Sequence, residues 1–340
     1  MEACTISLLD ILSANALMQI ASSGAAASSP SFKSSRKDLS WTPLAIGTAF
    51  LFNPFTILTS LGRPTSVFTY FFILLATAKA CQGRIVTSAF AIAAAAYLSL
   101  YPILLFPPLA ILCYDHVTIR YASNDTDRPA PTALRFFASQ ITIFLASSAV
   151  LLGLSAILTG DISFVASTYG THLLLPDLTP NVGLWWYFFI EMFDSFRAFF
   201  LGVFWLHMAS YMPGLCIRLR KQPLAVVVLM VGIISIFGPY TSIGDVGLFL
   251  SMLPLYAHVF PLMRYTFPAL STLLYAALLG PAFYHLWIYA GSGNANFFYA
   301  ITLVWNLGLI LVLADTLYAI LRDEWEIERP EMKGKEVRQI

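Results

Sequence analysis

Three ionisable side chains, Glu191, Asp194 and Arg197, stand inside one of the most aromatic stretches of this 340-residue chain. Of the 21 residues 185–205, 11 are aromatic. On one continuous helix the three charges, spaced i, i+3 and i+6, lie within an arc of about 120°, and each step brings neighbours within reach. Ionisable groups at membrane depth are costly and mark functional positions. Two readings stay open. Either Asp194 and Arg197 neutralise each other against a neighbouring helix, or the set lines a polar cleft for a lipid headgroup or a partner's polar residue.

Other chemistry is harder to assemble. A nucleophilic site needs Ser or Cys beside a base, and a metal site needs clustered His, Asp, Glu or Cys. The histidines (His116, His172, His207, His258, His285) are scattered, with no HxxxH spacing. The cysteines (Cys4, Cys81, Cys113, Cys216) form no CxxC and lie in or beside apolar runs, as buried small hydrophobes do. No catalytic residue, metal or cofactor is expected. A sugar transferase with a lipid-phosphate donor would need an exposed carboxylate as base. Asp161, Asp177 and Asp245 are positioned for that, without a paired-acid motif.

Two polar loops offer ligand contacts instead. DLTPNVG (177–183) precedes the aromatic run; Thr179 or Asn181 can cap the helix, or free N–H groups there can bind phosphate. GSGNAN (291–296) sets Ser292, Asn294 and Asn296 between two spans, as a hairpin turn or as ligand contacts. Trp185, Trp186 and Tyr187 fit an interfacial aromatic belt facing lipid. His285, Asn306 and Asp315 fall within spans and are expected to face the bundle interior. The ligand-contact set is therefore Asp177, Asn181, Trp185, Tyr187, Glu191, Asp194, Arg197, Asp245, His285, Asn294, Asn296 and Phe297.

These residues need a membrane scaffold. The chain is 58% hydrophobic and 11% charged, with a mean hydropathy of +0.75, against about 25% charge in soluble domains. This is an all-α polytopic membrane protein, read as a single domain over 1–340. Its net charge of +1 excludes a nucleic-acid partner. Apolar runs cover 5–21, 42–60, 65–83, 85–113, 135–159, 184–210, 223–237, 245–260, 267–290 and 297–321. No Lys or Arg precedes Lys33, so the basic region of a signal peptide is missing and the chain is expected to begin inside the fold.

Basic residues set the orientation. Lys33, Arg36 and Lys37 mark 22–41 as a flexible cytosolic linker; Arg120, Arg128 and Arg135, then Arg218, Arg220 and Lys221, then Arg264, mark further cytosolic turns. Arg322, Arg329, Lys333, Lys335 and Arg338 place the tail 322–340 on the same side. The loops 160–183, 238–244 and 290–296 contain no Lys or Arg and face the opposite side. Parity then requires 85–113 to cross as a pair of short helices, broken near Tyr97–Pro102. Roughly eleven passes result.

LLLPDLTPNVGLWWYFFIEMFDSFRAFF (173–200), IGDVGLFLSMLP (243–254) and HLWIYAGSGNANFFYAITL (285–303) resemble the PIG-U family, class U subunits of the glycosylphosphatidylinositol (GPI) transamidase. NPFTILT (53–59) and YLSLYPILLFPP (97–108) fit as well, and the fungal forms are most similar. The resemblance implies a multi-pass endoplasmic reticulum membrane protein with a fold related to the GT-C-type, lipid-donor glycosyltransferases. It implies a non-catalytic subunit that recognises or presents the GPI lipid for attachment to proprotein C-termini. Its implied partners are the cysteine-protease-like class K subunit, which carries the nucleophile, the class T and S subunits and the GPI attachment subunit. The region 191–200 corresponds to a part of the family likened to fatty-acid elongases. The family also places a further helix and a long lumenal loop ahead of Ile6, so an N-terminally shortened form is expected. The alternatives are an active dolichol-phosphate-sugar-dependent glycosyltransferase and a purely structural scaffold subunit.

Overall fold

A computed structural model describes residues 2–123 and 131–335. Arg128 and Arg338, used above as orientation signals, lie outside them. The described residues form fourteen α-helices. The first part of the chain holds α1 (Glu2–Ser22), α2 (Pro43–Leu51), α3 (Pro54–Gly62), α4 (Ser66–Cys81), α5 (Ile85–Leu98), α6 (Phe106–Ser123) and α7 (Ala133–Thr159). The rest holds α8 (Ser163–Leu174), α9 (Trp185–Glu191), α10 (Asp194–Arg218), α11 (Pro223–Phe237), α12 (Ile243–Met252), α13 (Thr266–Tyr284) and α14 (Ala295–Glu328).

Seven helices are long and apolar enough to cross a membrane, and an eighth span results if α2 and α3, bent by 48°, count as one. The apolar helices α4, α5 and α11 are shorter. The chain is thus an all-α multi-pass membrane protein. The break between α2 and α3 is written locally. Pro54 sits at the first helical position, where its missing N–H is harmless. Asn53 caps it, accepting from the Phe55 N–H at 3.0 Å and donating to Ser251 Oγ of α12 at 2.8 Å. The run 85–113 divides as parity requires. Ser99 is extended, and a 3-10 turn over Tyr101–Leu105 leads into α6.

α11 is the central pillar. It is apolar all round, and nearly every residue is buried, which is what a helix without a polar face requires. A Cβ at Gly232 would come within 2.6 Å of Phe249 on α12 and 2.8 Å of Leu313 on α14, so the glycine sets how closely the three helices meet.

Most of the ion pairs gather at one end, hereafter the basic end. Arg220 makes a bidentate pair with Asp115, both bonds at 2.8 Å. Lys221 reaches Glu328 at 2.6 Å, and Arg36 reaches Asp323 at 2.8 Å as well as Glu326. Asp315, 2% exposed, accepts the backbone N–H groups of Arg264 and Tyr265, each at 2.8 Å. Segment 22–41 is not the flexible linker its Ser/Ala content suggests. Strands β1 (Ser28–Ser29) and β2 (Phe32–Lys33) pair antiparallel, Phe32 and Ser34 are buried, and Arg36 locks onto α14.

Candidate functional site: a recessed loop at the end opposite the basic residues

The aromatic run does not form one helix. Met192 and Phe193 are both extended, with ψ of 139° and 136°, so Glu191 ends α9 and Asp194 begins α10. Phe188 and Phe204 stand 4.9 Å apart by ring centroid, where a continuous helix would separate them by about 24 Å. The chain therefore folds back at the break, and α9 lies alongside α10. Trp185 packs against Phe204 at 5.0 Å and Trp205 at 5.7 Å, about 15 Å along α10 from its first residue.

This corrects the reading of the charges. Their common arc requires one helix and is lost at the break. Glu191 and Asp194 are exposed, and no ion pair joins either to Arg197 among the described residues. Arg197 instead donates to the Leu175 carbonyl, at the end of α8, and covers the Phe189 ring at 5.5 Å. Leu175 is itself the left-handed residue that closes α8, so Arg197 satisfies a carbonyl at a helix end rather than a carboxylate.

The belt reading is corrected too. Trp185 and Trp186 are each 1% exposed. Trp185 Nε1 donates to the Phe237 carbonyl at 2.8 Å, closing the end of α11. Trp186 stacks on Trp287 at 6.0 Å. The exposed aromatics of the run are Phe193, Phe196 and Phe199.

Ahead of α9, loop 175–184 is set into the bundle. Asn306 Nδ2 donates to the Val182 carbonyl at 2.9 Å, and Tyr299 Oη to the Leu184 carbonyl at 3.1 Å. Asn306 lies about 16 Å along α14 from its start. Non-helical backbone at such depth is tolerated where protein covers it or it lines a cavity. Asn181 Oδ1 accepts from the Gly183 N–H at 2.7 Å, and its Nδ2 meets the Pro239 carbonyl at 3.5 Å. A Cβ at Gly183 would stand 2.5 Å from Thr241 Oγ1, so loops 177–183 and 238–242 touch through that glycine. Asp177 is exposed and accepts from Thr179 Oγ1 at 2.6 Å and Thr179 N–H at 2.9 Å, which holds its carboxyl below its usual range. Tyr240 Oη donates to the Asp177 carbonyl at 3.0 Å.

The third polar segment joins through Tyr187. It donates to Asn296 Oδ1 and stacks on Tyr299 at 4.5 Å. Asn294 is the helix cap of α14, accepting from the Phe297 N–H at 3.2 Å. Phe297 is exposed and lies 6.1 Å from Phe283. His285 is exposed beside Tyr289, not interior as expected; a π turn over His285–Tyr289 rotates it outward. Asn306 and Asp315 are interior, with the partners named above. Asp245 stands apart from the recess. It forms a capping box with Ser242 and accepts from Tyr70 Oη at 3.1 Å.

Two apolar grooves flank the recess. One, of about 410 Å³, runs between α9, α10, α11 and α14 and is lined by Leu184, Trp185, Phe188, Phe204 and Tyr299. The other, of about 270 Å³, is bounded by Val182, Gly280, Tyr284, Phe298 and Trp305. Loop 175–184 contributes to both. Tyr299, Trp287 and Tyr240 were not singled out from sequence. Each acts through a partner tens of residues away, so no local spacing marks it. Among the described residues no group of three His, Cys, Asp or Glu side chains could hold a metal ion.

The sequence profile of PIG-U, described as GPI transamidase subunit PIG-U, matches residues 1–305. The GPI-anchor transamidase component PIGU of Homo sapiens is 36% identical over 291 residues, covering 85% of this chain and 65% of that protein. The GPI transamidase component GAB1 of Saccharomyces cerevisiae is 35% identical over 298 residues, covering 87% of this chain and 70% of its own. The GAB1 homolog of Schizosaccharomyces pombe is 33% identical over 299 residues, covering 88% and 70%. The match thus spans just under two thirds of the length of the mammalian relatives.

Proposed function

Because the chain belongs to the PIG-U family, we propose that it works as a non-catalytic component of the GPI transamidase, holding the GPI lipid for transfer to proprotein C-termini. It would reside in the endoplasmic reticulum membrane, with the recessed loop toward the lumen and the basic end toward the cytosol. The orientation rests on the separation of ion pairs and lumenal loops at opposite ends. If the bent pair α2/α3 and the short helices α4, α5 and α11 each cross once, the fold has eleven passes, as in a relative of the GT-C-type glycosyltransferases. The class K, T and S subunits and the GPI attachment subunit would be its partners.

The observation that carries this reading is the placement of loop 175–184 between two apolar grooves. Polar groups of the loop can meet a headgroup while Trp185, Phe188 and Phe298 receive acyl chains on either side, an arrangement suited to a two-chain lipid. Ligand sites typically combine such an apolar lining with a few fixed polar groups. Asn181, Tyr187, Asn296 and Asp177 are the proposed headgroup contacts. Asn294, as a helix cap, orients the loop beside them.

Gly280→Phe tests the reading. A Cβ at Gly280 meets nothing closer than 4.0 Å, so a side chain can enter the groove without displacing backbone. In the full chain reconstituted in nanodiscs, the variant should keep its fold and partner subunits while losing retention of a GPI lipid. Loss of assembly with lipid retention intact would favour a scaffold. Sugar transfer from dolichol-phosphate by the purified protein would favour a transferase.

A further inference from the structure

A second, polar cavity opens beside the recess. It measures about 320 Å³ and is lined by Tyr70, Ser99, Tyr101, His172, Tyr240 and Asp245, with Thr65, Ser66 and Ser242 at its edge. These residues come from α4, the α5–α6 break, α8, the loop before α12 and the first turn of α12, so only the fold assembles them. Several are fixed by bonds to one another or to nearby backbone. Tyr101 Oη and His172 Nδ1 are 2.8 Å apart; Tyr70 Oη lies 3.1 Å from Asp245 Oδ1 and 3.2 Å from Ser242 Oγ. Tyr101 is held flat against Trp205, ring centroids 6.0 Å apart, and Tyr240 packs edge-on to His172 at 5.7 Å.

The lining holds no cation. Its only carboxyl group is that of Asp245, and no Lys or Arg side chain contributes to it. His172 stays neutral, because burial lowers its pKa. A phosphate entering here would find no cation to pair with. A neutral polyol would instead find an acceptor in Asp245 and groups of dual capacity in three phenols and the Ser and Thr hydroxyls.

We propose that this cavity binds the uncharged sugar hydroxyls of the lipid and leaves its phosphate outside, so that glycan and phosphate are recognised at separate places. The assignment of the lipid rests on the function proposed above; the preference for neutral hydroxyls rests on the cavity itself.

The test compares glycosylated with unglycosylated phosphatidylinositol, each presented in nanodiscs to the full chain. Wild type should bind the glycosylated lipid more tightly. Asp245→Asn keeps an acceptor for the Ser242 N–H and turns the other carboxyl oxygen into an amide donor; it should cut that preference by about tenfold, the scale of one hydrogen bond. Ser99→Phe fills the cavity from an extended residue and should abolish the preference even if Asp245→Asn proves unstable. Equal wild-type binding of the two lipids overturns the inference and leaves the proposed function standing. Absence of binding to either lipid overturns the proposed function. In that case saturation-transfer NMR with methyl α-mannoside decides for the cavity alone. Transfer seen in wild type and lost in Ser99→Phe supports the inference, and no transfer in wild type overturns it.

Discussion

The Asn306 side-chain amide donates to the Val182 carbonyl across 2.9 Å, joining the middle of α14 to a loop 124 residues earlier in the chain. Asn306 is 2% exposed, and its Nδ2 also donates to the Thr302 carbonyl at 2.8 Å. Replacing it with Leu leaves a buried carbonyl without its donor. We expect Asn306→Leu to destabilise the protein by about 1–3 kcal/mol and to expose residues 176–184 to proteolysis. Thermal unfolding and limited digestion check both.

Arg36 is paired with Asp323, whose side chain is 1% exposed, and with Glu326. Removing one partner of a buried pair strands the other charge. Arg36→Ala should therefore cost about 3–5 kcal/mol. The double variant Arg36→Met with Asp323→Leu should recover most of that loss, because Glu326 keeps its 2.8 Å bond to Arg322. Chemical denaturation in micelles separates the two outcomes.

The charges in the aromatic run should respond unequally. Glu191→Gln and Asp194→Asn alter exposed groups that no ion pair holds among the described residues, and should change stability by no more than about 0.5 kcal/mol. Arg197→Met removes the donor to the Leu175 carbonyl and should cost about 1–3 kcal/mol. Equal effects in all three variants would restore the idea of a coupled charge cluster.

His172 gives the fold a pH dependence. Burial lowers its pKa from 6.5, so the unfolded chain binds its proton more readily than the native one. The associated stability is complete above pH 6.5 and falls as pH drops from there toward the native pKa. His172→Gln should flatten this part of the pH–stability profile, as followed by thermal melts between about pH 5 and 8.

The sequence made the apolar helices legible because lipid and protein interior both demand them. It also located the break near Tyr97–Pro102, through parity and prolines, and the interior placement of Asn306 and Asp315, though not their partners. The fold-back at Met192–Phe193 was not legible. Neither residue is Gly or Pro, and the break comes from α9 packing against α10, not from a local breaker. The burial of Trp185 and Trp186 was equally hidden, since lipid tails and helix neighbours are alike apolar. Of the polar cavity, Asp245 was visible as a loop carboxylate. Tyr70, Tyr101 and Tyr240 read as ordinary residues of spans and turns until the fold brought them to it.

α11 has 15 residues and rises about 22 Å, well short of the roughly 30 Å hydrocarbon core of a bilayer. A lone helix of that length would force surrounding lipid to thin around it. Sheathed by its neighbours, α11 meets no lipid, so bilayer thickness does not govern its length. Its outer end can stop short, and the floor of the recess is where it stops: Phe237, its last residue, is the carbonyl that Trp185 closes. A deficit in span length, hidden from the membrane, thereby becomes the depth of the recess.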